Sequence, residues 1–328
     1  MNKTIRNTLA AAITLAFAAM PAQAGSIKDK VDNLQISGFV DTSWSSTNAQ
    51  AGATSTGFGL DQIELDVEYS EGNVGMRFDL QSSGQGFATD AIEQGYVYVN
   101  FSGVGDDGTT FMFGKFNAPI GWELLDAPDM YQFSHALVFN EGLPTNLTGA
   151  SLAATFGMFD ANIYYADQVD TNGTTTTGIH STGLRFGISP LEGANIGISY
   201  LNTTNPGNVA DITLDIDFTY DAIDNLLIGG EYNQVKSAGI TSGGYFGTVH
   251  YDFTEQVGLT YRYGTFDDDT SIAGKATSNT VALTSVLGGG LGALFEYRSI
   301  NNTTATSFID APKNFNTKVY AFEMTYGF

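Results

Sequence analysis

The 328-residue chain has no cysteine, which rules out disulfide cross-links, thiolate metal ligands and thiol nucleophiles together. It is also poor in bases: 13 Lys and Arg stand against 35 Asp and Glu, a formal charge of −22. Binding to nucleic acid rests on basic patches that neutralise phosphates, so no nucleic-acid partner is expected. Histidine occurs three times, at His135, His180 and His250, and proline seven times. Beyond the N-terminal segment, no apolar run approaches the ~20 residues of a membrane-spanning helix. What the chain has instead is 39 Gly, 23 Phe and 16 Tyr, residues suited to tight turns, strands and interfacial aromatic belts.

At the start, Lys3 and Arg6 precede an apolar run from Leu9 to Met20, followed by Pro21 and then Ala22, Gln23 and Ala24. A basic start, a short apolar stretch and a small-residue site in that order predict a secretory signal peptide cleaved after Ala24. Gly25 follows rather than cysteine, so a lipid anchor is not expected. Cleavage removes two bases and no acid, taking the charge from −22 to −24. The expected organisation is a removed signal over 1–24, a short periplasmic lead over 25–33 and one domain over 34–328. Such a length is large for a single soluble core, whereas a closed barrel has no such limit.

Along that domain the dominant pattern has period two. Tyr320, Phe322, Met324, Tyr326 and Phe328 fall on one face, and Thr317, Val319, Ala321, Glu323 and Thr325 on the other. Ile63, Leu65, Val67 and Tyr69 alternate with Gln62, Glu64, Asp66 and Glu68, and Ile212 to Tyr220 alternates with carboxylates in the same way. Carboxylates two apart on long strands suit a wall whose polar face meets water and whose other face meets lipid. Sixteen segments of this kind are expected, give or take two: 34–46, 58–70, 73–82, 92–101, 109–117, 147–157, 161–168, 179–189, 194–203, 211–221, 225–236, 243–253, 256–266, 277–287, 291–301 and 315–328. Those at 92–101 and 277–287 alternate poorly. The fold class predicted is all-β, a transmembrane antiparallel up-and-down barrel with both chain ends on the periplasmic side.

Connections sort into short turns, such as Glu71–Asn73 and Thr254–Glu255, and longer polar loops, such as Thr47–Gly57, Asp170–Gly178, Asp267–Gly274 and Asn302–Asn314. One connection stands apart. Residues 118–146 follow the fifth strand and hold Pro119, Pro128 and Pro144 with Trp122, Tyr131, Phe133 and Phe139. A loop so long and aromatic is usually functional. It is expected to fold inward and narrow the lumen, with Glu123, Asp126, Asp129 and Glu141 as its acids. By parity the lumenal wall carries Glu64, Asp66, Glu68, Arg77, Asp79, Arg185, Asp215, Asp217, Glu231, Arg262, Glu296, Arg298 and Glu323. Pairing of Asp79 with Arg77, or of Glu296 with Arg298, would still leave acids in excess.

The run GKFNAPIGWELLDAPDMYQFSHALVFNEGLPTNLTG, Gly114 to Gly149, resembles the signature of the OmpL-like β-barrel porins. The start LQISGFVDTSW, Leu34 to Trp44, and the terminal Phe328 fit as well. The resemblance extends over the mature chain and implies an outer-membrane barrel without naming a solute. Many relatives carry a longer segment before the first strand, so an oligomerisation role of that kind is not expected here. Tyr326 and Phe328, ending a run of aromatics, resemble the signal read by the barrel assembly machinery.

The function expected is a bacterial outer-membrane porin giving passive, mildly cation-selective diffusion of small hydrophilic solutes or ions. Its partners would be outer-membrane lipid and lipopolysaccharide, the assembly machinery and further copies in a homotrimer. A channel selective for one small solute is the alternative, followed by a barrel enzyme and a closed structural or adhesive barrel. An enzyme would need a nucleophile with a positioned histidine. No spacing provides one: Ser134 and His135 are sequence neighbours that point apart. No cofactor and no metal site are expected; Asp267, Asp268 and Asp269 read as a solvated acidic loop.

Overall fold

The computed structural model describes residues 31–49, 54–82, 91–106, 108–169, 179–205, 209–268, 275–302 and 316–328. Met1–Leu34 separates as a unit of its own, of which a 3-10 turn at Val31–Asn33 and the first residue of the following strand are described. The second unit, Gln35–Phe328, is a closed antiparallel barrel.

Its sixteen strands are β1 (Leu34–Ala49), β2 (Thr54–Glu71), β3 (Val74–Ser82), β4 (Ile92–Phe101), β5 (Thr109–Asn117), β6 (Asn146–Phe156), β7 (Phe159–Val169), β8 (His180–Ile188), β9 (Ala194–Asn205), β10 (Val209–Ile223), β11 (Leu226–Ser237), β12 (Ile240–Thr254), β13 (Val257–Asp268), β14 (Lys275–Gly288), β15 (Leu291–Asn302) and β16 (Asn316–Gly327). Each pairs with its sequence neighbours, and β1 closes on β16 with Phe39 opposite Gly327 and Ala49 opposite Thr317. At the lower end of that seam Gly38 and Phe328 exchange both backbone hydrogen bonds, at 3.3 and 3.1 Å. Closure leaves no unpaired edge, which a barrel in lipid requires.

The alternation sets which face is which. Outward residues such as Ile63, Leu65, Ile216, Phe218, Phe295 and Phe322 are exposed, while their neighbours Glu64, Asp215, Asp217, Glu296 and Glu323 are buried. An apolar belt of this kind would cost free energy in water and none in hydrocarbon. The segment 277–287 alternates poorly in sequence because its inward set, Ala276, Ser278, Thr280 and Ala282, is small rather than charged.

Two expectations are corrected. The pattern predicts a loop over Thr47–Gly57, yet β1 runs on to Ala49 and β2 starts at Thr54, with the Ser46 and Thr56 hydroxyls 2.9 Å apart. Strand ends that stand beyond the lipid have water on both faces, so nothing there enforces alternation. The expected loop Asp267–Gly274 likewise gives Asp267 and Asp268 to β13, and Asp269 lies outside the described residues. The expected loops Asp170–Gly178 and Asn302–Asn314 also lie outside the described residues, apart from Asn302 at the end of β15.

Candidate functional site

The segment between β5 and β6 contains a 3-10 turn at Ala127–Asp129 and a short helix α1 at Leu137–Gly142. Its contacts are with inward-pointing side chains. Ala136, Leu137 and Val138 bury themselves against Phe246, Phe266, Ala276 and Ile300, with Trp122 alongside. A largely polar barrel interior thus carries an apolar patch on β12 to β15, and the loop covers it. Ile120 and Leu143, near the loop ends, pack with Phe116, Leu147, Tyr164 and Leu201 in a second patch.

Polar ties fix the rest. The Ser199 hydroxyl is 3.4 Å from the Pro119 carbonyl oxygen. The Trp122 amide donates to Glu231 Oε2 at 2.9 Å. Ser134 donates twice to Glu296, from its amide at 3.1 Å and its hydroxyl at 2.7 Å. Arg262 pairs with Glu123 and donates to the Ser134 carbonyl at 2.6 Å. Glu123 also accepts from the Ala136 amide at 2.7 Å, so one carboxylate joins wall and loop. Tyr131 lies on His250, ring centroids 4.4 Å apart.

Two glycines make this path possible. Gly121 has φ +83, and a Cβ there would lie 2.6 Å from Leu143 Cδ1 and 2.9 Å from Glu231 Oε2. Gly142 ends α1 so close to β11 that a Cβ would overlap the Asn233 amide.

The four loop acids separate in character. Glu123 is buried in its ion pair with Arg262. Asp129 is exposed, Glu141 is half-buried on α1, and Asp126 is half-buried. Burial, with Asp129, Asp66 and Asp79 nearby, pushes the Asp126 carboxyl up to about 6 against the pull of Arg77. Burial likewise raises the Tyr131 phenol.

The thirteen wall residues named from parity do not share one environment. Glu64, Asp79, Asp215, Asp217, Glu231, Arg262, Glu296, Arg298 and Glu323 are covered. Asp66, Glu68, Arg77 and Arg185 keep partial access to solvent. Arg77 bonds Asp79 at 2.8 Å and stands 3.8 Å from Asp66; Arg185 pairs with Asp217; the Tyr98 hydroxyl donates to Glu68 at 3.0 Å. Glu296 meets Ser134, a partner that parity could not indicate, and Arg298 donates to the Ser278 hydroxyl at 3.1 Å.

The interior polar groups that the sequence does not reveal include three beside the wall acids. Asp41 on β1 and Glu93 and Gln94 on β4 are all buried. Glu93 is the extra residue of a β-bulge: Asp79 pairs with Gln94 and Leu80 with Ile92. A bulge turns two successive side chains to one face, which is why 92–101 alternates poorly. The shared inward parity of Asp41 and Ser43 on β1 was the available signal for Asp41.

None of the described histidines hydrogen-bonds the Ser134 hydroxyl, and the hydroxyl in contact with His250, that of Thr260, is buried. His250 contacts Thr260 at 2.8 Å and Asp252 at 3.0 Å. His135 stacks on Phe139 and reaches the Leu124 carbonyl at 2.9 Å, and His180 stacks on Tyr165.

A family model described as "Putative beta-barrel porin-2, OmpL-like" matches residues 33–327. No curated protein sequence matches the chain. Among solved structures, the anion-selective porin from Comamonas acidovorans is similar at TM-score 0.68 and 16% identity, covering 90% of this chain and 99% of that one. OmpF of Salmonella typhi, in complex with daunomycin, gives 0.70 at 10% identity over 90% and 97%. The outer membrane channel DcaP of Acinetobacter baumannii gives 0.63 at 12% over 90% and 97%. At such identities the structural likeness carries the fold alone. The family match spans almost the whole wall of a sixteen-stranded porin-type barrel, and the chain accordingly belongs to the OmpL-like β-barrel porins of the outer membrane.

Proposed function

We propose that the protein is a passive, mildly cation-preferring diffusion pore whose passage is narrowed by the loop between β5 and β6. The observation that carries this reading is the contrast of faces: an apolar belt outside, charges inside, and a loop tied to inward residues of β9, β11, β13 and β15. Sixteen strands enclose more space than wall side chains fill, so an interior path remains for water. Channel action without catalysis is supported by Ser134, whose amide and hydroxyl both bond Glu296, and by the burial of Thr260, the hydroxyl beside His250. Export by the N-terminal signal and assembly as a trimer complete the reading. OmpT of Vibrio cholerae, a structural relative, is described in a trimer form.

The sign of selectivity depends on which charges reach the water. Asp66, Glu68 and Asp129 do so, against Arg77 and the more covered Arg185. A lumen of net negative sign raises the local concentration of cations. A KCl gradient across a planar bilayer therefore gives a reversal potential of modest cation preference. That preference shrinks at 1 M salt, where screening acts within about 3 Å. Anion preference would overturn the charge assignment, and absence of conductance the pore.

A solute-selective channel is the second reading. It is favoured by a cavity of about 470 Å³ between loop and wall, lined by Trp122, Tyr131, Asp129 and Gln132. Aromatic faces beside polar groups suit a small hydroxylated or aromatic solute.

The terminal Phe328 is proposed as the assembly signal together with Tyr326. Its removal deletes two backbone hydrogen bonds at the closing seam, a loss of about 1–3 kcal/mol. Insertion slows, and the folded heat-modifiable band falls on unboiled gels. Normal rate and yield in the truncated chain would remove the signal role.

A further inference from the structure

Near the β2–β4 wall, acids converge that the pore reading does not use. Glu64 on β2 and Glu93 on β4 are 2% and 6% exposed. In each, a glutamine fixes one carboxylate oxygen: Gln62 Nε2 donates to Glu64 Oε2 at 3.1 Å and Gln81 Nε2 to Glu93 Oε2 at 2.9 Å. The other oxygen, Oε1 in both, is buried without a donor, and so is Oδ1 of Asp126 from the loop. Ligand oxygens of these three residues lie within 4.8 Å of one another. Two oxygens each about 2.4 Å from a shared calcium ion are at most about 4.8 Å apart, so one ion is able to reach all three.

Lys115 offsets part of the charge of Glu93, yet no donor reaches Oε1 of Glu64, Oε1 of Glu93 or Oδ1 of Asp126. Arg77 is taken up by Asp79 and Asp66, and Lys115 Nζ donates to the Ile92 carbonyl at 2.8 Å. Buried carboxylate oxygens with no donor are costly, and three carboxylates that converge this closely favour a positive charge among them. Glu93 reaches that point only through its bulge.

We propose that Glu64, Glu93 and Asp126 bind one calcium-sized divalent cation, which ties the long loop to the β2–β4 wall. All three donors are hard carboxylate oxygens, and water completes the six to eight ligands such an ion takes. The ion would join the loop to a part of the wall away from the β11–β15 anchors, so its presence would set how firmly the loop holds its place. That regulatory half rests on the pore reading; binding itself does not.

Calorimetric titration with CaCl₂ tests it, on full chain refolded in detergent free of lipopolysaccharide, which itself takes up divalent cations. The folded wild type takes up one calcium saturably. Asp126→Asn and Glu93→Gln each weaken the affinity by about tenfold or more while keeping the heat-modifiable band. Asp126→Asn changes a loop residue and leaves the strand ladder intact, so it carries the comparison if Glu93→Gln fails to fold. In bilayers, EGTA increases current noise of the wild-type channel and leaves Asp126→Asn unaffected. Lack of saturable uptake, or uptake that both substitutions leave unchanged, overturns the site. A wild-type current indifferent to EGTA overturns the tie. Calcium binding lost in the variants of a chain that conducts nothing would sink the pore reading and keep the site.

Discussion

Replacing residues 120–143 with a short Gly/Ser link raises single-channel conductance severalfold while the barrel keeps its heat-modifiable band. The segment removed contains α1, Trp122 and every loop residue that touches β11, β13 and β15. The wall is held by its own ladder from β1 round to β16 and does not need the loop for closure. Hydrogen bonding between neighbouring strands satisfies the backbone whether or not the lumen is filled. What the deletion exposes is Phe246, Phe266 and Ile300, an apolar patch that must then face water. Some loss of thermal stability accompanies the gain in current for that reason. Unchanged conductance through an intact barrel would mean that the loop does not narrow the conducting path.

Glu123→Ala releases the loop without shortening it. Arg262 is 2% exposed and its guanidinium pairs with Glu123, so truncation leaves a buried cation short of its anion, at a cost of about 3–5 kcal/mol. The Ala136 amide loses its acceptor in the same step. The penalty falls on the loop rather than the ladder. Noisy, enlarged currents and cleavage by chymotrypsin near Tyr131 and Phe133 are the expected signs, with the barrel band retained. The double variant Glu123→Leu/Arg262→Met recovers most of the wild-type behaviour, because an apolar pair of similar volume removes the unpaired charge. A quiet, protease-resistant Glu123→Ala channel would show that the pair does not hold the loop.

Much of the barrel was legible because lipid and water on opposite faces write a period-two pattern that nothing else in the chain imitates. The reading held at Ile63–Tyr69 and Ile212–Tyr220, where every outward position is large and every inward one polar. It faltered where physics relaxes the pattern. At the upper ends of β1 and β2 both faces are wet, and on β14 the inward residues are small, Ala276 among them lying in the apolar cluster that the loop covers. Glu93 was hidden by a bulge, a backbone event that leaves no mark in residue type.

Within the site, parity gave direction but not surroundings. It turned Asp215, Glu231 and Glu296 inward, yet could not tell that other groups cover them. Arg77 with Asp79 lies two apart on one strand and was readable as a pair. Arg262 with Glu123 spans 139 residues, and only the path of the loop brings the two together.

That span also imposes an order of events. The loop leaves the wall after the fifth strand, but its partners Glu231, Arg262 and Glu296 belong to strands eleven, thirteen and fifteen. Ser134 and Glu296 are 162 residues apart. Adjacent hairpins close over a few residues, whereas contacts of such separation carry a far larger chain-entropy cost and form late. A nascent barrel therefore passes through a stage in which most of its wall exists and its interior is still unfurnished. The wide form precedes the narrow one in the life of every molecule.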